Sequence, residues 1–387
     1  MAHLWNDSAS LLPTYASDTS GVASALYELG GMTVIHDASG CNSTYSTFDE
    51  PRWYDQESLV VISALTEMDA VLGNEEKLVN DCVEQARLLS PAFVALANSP
   101  LAMLMGCDME ALAREMEARL ALPCFALHTN GIASYLSGVS QAFVAVSKRF
   151  TEDFPKSSEK SLNLLGATPL DIGEPELTAI LAWAESFGFR LNACVAQKTS
   201  LAAIAHLAKA HVNLVLSSSA LALADYLQER FGTPYVVGRP FGFFAEELAS
   251  FLLQAAETGQ SRPLQHTKTS QGQRVALVGE SVAIASMAQA LVHFGFGQSR
   301  LFCPLEGWEE VLGEEDVGGE ENEDAVQDFL AAADLIVADP LYKLVSPPKT
   351  PFLALPHTAF SGRTYLAANQ SLLGQGLYDE LCKEHLC

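Results

Sequence analysis

Within the stretch VIHDASGCNSTYSTFDEPRWYD (34–55) stand His36, Asp37, Cys41, Thr47, Asp49, Glu50, Arg52 and Trp53, the densest polar and aromatic cluster of the chain. Gly40, directly before Cys41, has no side chain, so the backbone there can approach a bulky group closely. That suits a thiolate held beside a metal cluster or a ligand. Cys41 reads equally as a buried thiol following an Asx-rich turn, and the local residues leave both readings open. Around a bound ligand, His36, Asp49, Glu50 and Arg52 are candidates for orientation or proton delivery, with the planar fork of Arg52 suited to clamping a carboxylate.

A second candidate turn, RVALVGES, sets Gly279 after a strand and before a helix, so the helix N-terminus there could hold an anion. A dinucleotide fingerprint needs three glycines at GxGxxG spacing. Ser281 and Ala283 or Ala285 occupy the remaining positions, so NAD is not expected and a plain strand-to-helix turn explains the segment. The eight cysteines, at 41, 82, 107, 124, 194, 303, 382 and 387, form no CxxC pair, unlike a compact secreted disulfide framework. Most read as buried thiols packing as small hydrophobes.

The elements that must position these groups follow from hydrophobic period and punctuation. FVALANSP followed by LAMLMGCDMEALAREMEARL reads as strand, loop and amphipathic helix, and PCFALHTNG begins another strand and turn. The charged run KRFTEDFPKSSEK, broken by Pro155, marks a boundary after a first domain over 1–158. SLNLLG, FRLNACVA, VNLVLS and PYVVG then alternate with helical PELTAILAWAESFG, SLAAIAHLAKA and ALALADYLQERFG. Strands alternating with helices demand parallel pairing by crossovers, so 161–262 is expected to be a Rossmann-like domain with its ligand edge at the strand C-termini. RVALVGES, VAIASMAQALVHFG, SRLFCPL and DLIVADP predict a second Rossmann-like domain over 273–345, with 346–387 packing back on the first domain. The fold class is therefore α/β, three Rossmann-like domains with mainly parallel sheets.

Composition narrows the function. The chain of 387 residues is 49% hydrophobic and 18% charged, ordinary for a globular protein of two or three domains. With 22 basic against 47 acidic residues the formal charge is −25, which repels a phosphate backbone, so nucleic acid is not an expected partner. No run of about 18 uncharged apolar residues occurs, and MAHLWNDSASLLPTY carries no basic region or signal-type apolar core, so no membrane association is expected and a cytoplasmic location is.

Beyond these readings, the chain resembles the nitrogenase component 1 family. HDASGC at His36–Cys41 is similar to that family's His-Gly-Pro-x-Gly-Cys turn, and TEMDAVLGNEEKL at Thr66–Leu78 to its Thr-Glu-x-x-x-Val-x-Gly-Gly segment. The likeness continues through MGCDMEALA, HTNGIASYLSGVSQAF (His128–Phe143) and LNLLGATPLD (Leu162–Asp171). It implies a three-domain subunit, working in a homodimer or with a paralogous nitrogenase-like subunit, that accepts electrons from an ATP-dependent iron–sulfur protein. It also implies an iron–sulfur cluster at a subunit interface, with ligand positions at Thr14, Cys41 and Pro100. Only Cys41 can supply a thiolate, so one chain cannot complete the usual site. The family's cofactor-anchoring cysteine corresponds to Ser217 and its histidine to the Pro356–His357 region, which argues against dinitrogen as substrate. His357 stays a candidate cofactor contact or a turn residue. Cys107 follows Gly106 near an expected helix N-terminus, where a thiolate is favoured. It is a candidate replacement metal ligand or a turn cysteine.

The expected function is a subunit of a nitrogenase-like reductase acting on an unsaturated small molecule other than dinitrogen. The alternative is a non-catalytic scaffold or a small-molecule or tetrapyrrole carrier.

Overall fold

The computed structural model describes residues 16–38, 49–264, 271–312, 317–318, 323–366 and 371–383. They build three α/β units, each around its own sheet. In the first, β1 (Met32–His36), β2 (Leu59–Ile62), β3 (Val94–Asn98) and β4 (Cys124–Leu127) run in the order β2-β1-β3-β4, all pairs parallel. The second holds β5 (Ser161–Leu165), β6 (Arg190–Cys194), β7 (Val212–Val215) and β8 (Tyr235–Val237) in the order β6-β5-β7-β8, also parallel. The third adds β9 (Arg274–Val278), β10 (Gln298–Cys303), β11 (Val317–Gly318), β12 (Leu335–Ala338) and β13 (Phe352–Ala354) in the parallel order β11-β10-β9-β12-β13.

Parallel strands buried on both faces read as mostly apolar runs, and the centres of all three sheets do: VALAN, SLNLL and LIVA are buried throughout, the amide of Asn163 being bonded to Leu207 O and Asn213 Oδ1. Each sheet reverses its strand order beside its first strand, between β1 and β3, β5 and β7, and β9 and β12. Ligand crevices of open α/β sheets lie at such points, outside the strand C-termini.

The helices are α1 (Asp18–Leu26), α2 (Glu67–Leu72), α3 (Glu75–Leu89), α4 (Pro100–Met105), α5 (Met109–Leu120), α6 (Tyr135–Phe150), α7 (Glu174–Ser186), α8 (Leu201–Ala205), α9 (Leu221–Phe231), α10 (Phe244–Thr258), α11 (Ser281–Val292), α12 (Glu323–Ala331), α13 (Thr358–Ser361) and α14 (Gln375–Lys383). α1 is buried along its whole length and crosses α6 at backbone contact. A Cβ at Gly21 would stand 2.2 Å from Tyr135 O, and one at Gly138 would stand 1.8 Å from Asp18 O, so only glycine permits this approach.

Two elements differ from expectation. SLAAIAHLAKA is not one helix, because α8 stops at Ala205 and a 3-10 turn over Leu207–Lys209 follows. The third sheet also continues past residue 345, because Phe352–Ala354 pairs with β12. The prolines around β13 disguise it, yet an edge strand tolerates them: Pro351 offers only its carbonyl, to Ile336 N at 3.0 Å.

Backbone bonds then tie the three units at one place. Ala359 N donates to Leu170 O, Ala16 N to Ala359 O and Tyr135 N to Ala16 O, at 3.2, 2.9 and 2.8 Å. α14 packs elsewhere, with Gly242 N bonded to Leu372 O and Leu377 against Gly242.

Candidate functional site

At the C-terminal edge of the first sheet, His36 ends β1 and pairs in register with Asn98 at the end of β3. The buried His36 ring bonds through Nδ1 to Ser63 Oγ at 2.8 Å. Burial is the chief influence on it and depresses its pKa below the ordinary imidazole value, outweighing the opposing charge of Asp37. Among the described residues Asn98 Oδ1 is buried with no hydrogen-bond partner. An acceptor left unpaired in a protein interior costs stability. Asp49 accepts from Ser20 Oγ at 2.6 Å, and burial raises its pKa although that bond opposes it. Two residues before Ser20, Asp18 accepts from Asn130 N and Gly131 N in the loop after β4, so Asp49 is anchored beside the same edge. Cys41, with Thr14 and Thr47, lies outside the described residues.

Arg52 is not available as a carboxylate clamp. Its Nε and Nη2 donate to Glu50 at 2.7 and 2.9 Å, Nη1 to Glu28 Oε1 and Ala196 O, and Nη2 also to Ser24 O. All five guanidinium N–H groups are thereby used inside the chain. Glu50 spends its carboxylate on Arg52 and caps the 3-10 turn Pro51–Tyr54, while its carbonyl accepts from Arg363 Nη2 at 2.5 Å. Because Ala196 belongs to the second unit, the pair joins domains.

The helix N-terminus expected to favour a Cys107 thiolate is taken by Asp108, whose side chain caps Ala111 N. Burial, aided by the charge of Glu75, instead raises the Cys107 pKa. Pro100 occupies the first turn of α4 behind the Ser99 cap, and its ring lies where a Cβ on Gly131 would fall. It offers no ligand atom. Among the described residues no group of three or more His, Cys, Asp or Glu side chains is arranged to hold a metal ion.

A second polar centre lies where the three units meet. Tyr135, at the start of α6, donates to Asp171 Oδ1 at 2.5 Å, and His357 Nε2 lies 3.1 Å from the same oxygen. Arg239, after β8, stands 3.6 Å from Asp171, 3.8 Å from Glu176 and 3.7 Å from Glu280. Its Nε donates to Leu216 O at 2.8 Å. Burial would lift the Asp171 pKa, but the His357 bond and charge, with Arg239 and Tyr135, hold it below the usual carboxylate range. Burial together with the Asp171 charge drives the Tyr135 hydroxyl well above its ordinary value. Asp339 fixes His357 from the backbone side, accepting from His357 N and Ser361 Oγ at 2.8 Å each.

The structure thus brings Glu50 and Arg52 together, sets His36 and Asp49 along one edge, and places His357 at the junction and Cys107 beside Glu75. Tyr135, Asp171, Glu176, Arg239 and Glu280 were not anticipated from sequence. The available signal was a lone charge following an apolar strand, as in VALVGE and YVVGR.

The family model described as nitrogenase component 1 type oxidoreductase matches residues 19–297. The nitrogenase iron-molybdenum cofactor biosynthesis protein NifE of Rippkaea orientalis is 25% identical over 218 residues, covering 52% of this chain and 44% of that protein. NifE of Sinorhizobium fredii is 28% identical over 186 residues, covering 47% and 37%. One of the subunits of light-independent protochlorophyllide reductase from Heliobacterium modesticaldum is 23% identical over 217 residues, covering 54% and 41%. The matched part is thus less than half the length of each of these relatives. The solved structure of nitrogenase Cp1 at pH 6.5 shares the fold, with a TM-score of 0.73 at 16% identity over 98% of this chain and 94% of that one. With three parallel-sheet units and a family match across most of its length, the chain belongs to the nitrogenase component 1 type oxidoreductases.

Proposed function

We propose that this chain is a subunit of a nitrogenase-like reductase that meets a paralogous subunit across the C-terminal edge of its first sheet. There Cys41 contributes to an iron–sulfur cluster completed by the partner's thiolates. An ATP-dependent iron–sulfur protein supplies the electrons, and the substrate is an unsaturated small molecule other than dinitrogen.

The observation that carries the reading is the apolar rim of that edge. α2, α4 and the loop after β4 all leave the strand C-termini, and they expose Val71, Leu104 and Ile132 at 83, 78 and 75%. Met68, Leu72 and Leu101 are exposed beside them in sequence. Large apolar side chains exposed on three elements at one sheet edge favour a protein contact over a solvated face. The bound cluster would carry electrons, while this chain's groups orient and hold protons: His36 is kept neutral by burial, and burial raises the Asp49 carboxyl so that it holds a proton more readily than an exposed carboxylate.

A scaffold role is the second reading. It is favoured by Pro100, which removes a thiolate position, and by the two relatives named for cofactor biosynthesis.

The test is anaerobic co-expression with a cysteine-richer paralogue, followed by iron and sulfide analysis and visible spectroscopy. The reductase reading expects a brown complex that loses its iron in Cys41→Ala and fails to assemble in Leu104→Asp. A colourless complex unaffected by Cys41→Ala would leave the scaffold.

A further inference from the structure

We infer that the crevice between the second and third sheets, the usual ligand position of such sheets, is closed in this chain by an interdomain ionic clasp centred on Arg239. Cluster or substrate chemistry is thereby left to the first-sheet edge. The inference deepens the function proposed above and rests on it only for that last clause.

The switch points of the two sheets face each other here. Gly166 and Ser217 follow β5 and β7, and Glu280 and Asp339 follow β9 and β12. An open crevice would leave these turns free for a ligand. Instead the turns bind one another. Glu280 Oε1 accepts from Ser218 N of the second sheet at 2.9 Å, while Oε2 caps α11 through Ala283 N at 3.0 Å, so the helix N-terminus that an anion might use is filled from within. Arg239 N donates to Ser286 Oγ on α11 at 2.9 Å. The Arg239 side chain then lies among Asp171, Glu176 and Glu280 at 3.6 to 3.8 Å. At these separations the groups interact as ion pairs rather than by direct hydrogen bonds, and Arg239 Nη2 and Glu176 Oε1 have no hydrogen-bond partner among the described residues.

The residues present do not suit a resident metal cofactor at this junction. Ser217, fully buried, turns its hydroxyl to Ser219 N and Oγ, capping the turn Ser218–Ala220. His357 Nε2 is committed to Asp171, with Tyr135 at 3.4 Å. Cys303, beside the Ser281 backbone, has its thiol turned to Leu305 O and its pKa raised by burial, and the guanidinium of Arg239 repels a cation.

The clasp has two independent readouts. In thermal unfolding of the full chain, Arg239→Met should lower Tm by at least about 4 °C. Adding Glu176→Gln to that variant should recover part of the loss, because Glu176 Oε1, which has no hydrogen-bond partner among the described residues, loses in Arg239 the ion pair that offsets its charge. In the anaerobic complex, Ser217→Ala should leave the iron content unchanged while Cys41→Ala removes it. An Arg239→Met protein that melts within 1 °C of wild type (about the scatter of repeat melts), strictly additive losses, or iron lost with Ser217→Ala would each overturn the clasp. A complex without iron in the wild type would sink the proposed function instead, and the melting series would still decide the clasp.

Discussion

The Tyr135 hydroxyl, on the first unit, donates to Asp171 Oδ1, on the second, at 2.5 Å, and the same oxygen receives His357 Nε2 from the third. A single carboxylate oxygen therefore joins all three domains. Tyr135→Phe keeps the ring that packs against His357 at 5.8 Å between centroids and removes only the hydroxyl. A buried hydrogen bond to a charged acceptor is worth about 1.5–3 kcal/mol, so urea unfolding should lose that much with an unchanged m-value. An unchanged midpoint would mean that the bond contributes nothing.

Arg52 is the more severe case. Its removal strips Glu50, 1% exposed in its side chain, of the ion pair that holds its carboxylate. Breaking a buried pair this way costs about 3–5 kcal/mol, so Arg52→Ala should fold poorly or melt far below wild type. Arg52→Lys should rescue little, since an ammonium carries three donors where five are used and cannot span Glu50, Glu28, Ser24 and Ala196 together. Near-complete rescue by lysine would show that charge alone matters at this position.

These two predictions bracket what was legible in the sequence. The alternation of apolar strands and helices disclosed the α/β units because parallel sheets leave a continuous hydrophobic signature. β13 was hidden because prolines at 347, 348, 351 and 356 resemble a loop, and only an edge position makes such flanks compatible with a strand. The polar group around Arg52 was visible, but its role was not. A guanidinium reads the same whether it awaits a ligand or is saturated by Ala196, 144 residues away. Asp171, Arg239 and Glu280 share no local motif, and only the facing of two sheet edges makes them one group.

His36 gives stability a defined pH dependence. Its folded pKa is depressed below the ordinary 6.5, chiefly by burial, so between the two values the unfolded chain binds more protons than the folded one. Stability therefore falls as pH drops below 6.5 and stops falling from this cause once the folded pKa is passed. Asp171, whose folded pKa is lowered, contributes only to a separate loss below its ordinary 3.8. His36→Gln should lessen the fall of Tm as pH drops below 6.5, leaving the share of His211, whose pKa burial also lowers, and the more acidic limb intact. A wild-type profile already flat in that window would contradict the burial argument.

Thiol chemistry offers a test of the interior. Burial pushes Cys82 and Cys194 up to about 12 and Cys124 to about 11, and raises Cys303 further. The thiolate is the reactive form, so iodoacetamide at pH 8 should leave these four unmodified in the native protein. Cys107, partly exposed, should be labelled slowly because Glu75 and burial also disfavour its thiolate. Peptide mass mapping after a timed pulse reads the order, and rapid labelling of Cys194 would show that the second sheet opens.

Among the described glycines the tightest steric constraint lies at the crossing of α1 and α6. A methyl at Gly138 would fall 1.8 Å from Asp18 O, and one at Gly21 would fall 2.2 Å from Tyr135 O, both against backbone that cannot swing aside like a side chain. Overpacking typically costs about 1–3 kcal/mol where side chains can yield, so Gly138→Ala should exceed that range and Gly21→Ala should reach at least its upper end. The damage should also travel. Separating the helices moves Tyr135, which holds Asp171, and it strains the Ala16 to Ala359 bond that ties the first unit to the third. Both variants should therefore lose stability in the whole molecule in one transition, read as parallel losses of far-UV and near-UV circular dichroism. Two separated transitions would mean that the junction does not couple the units.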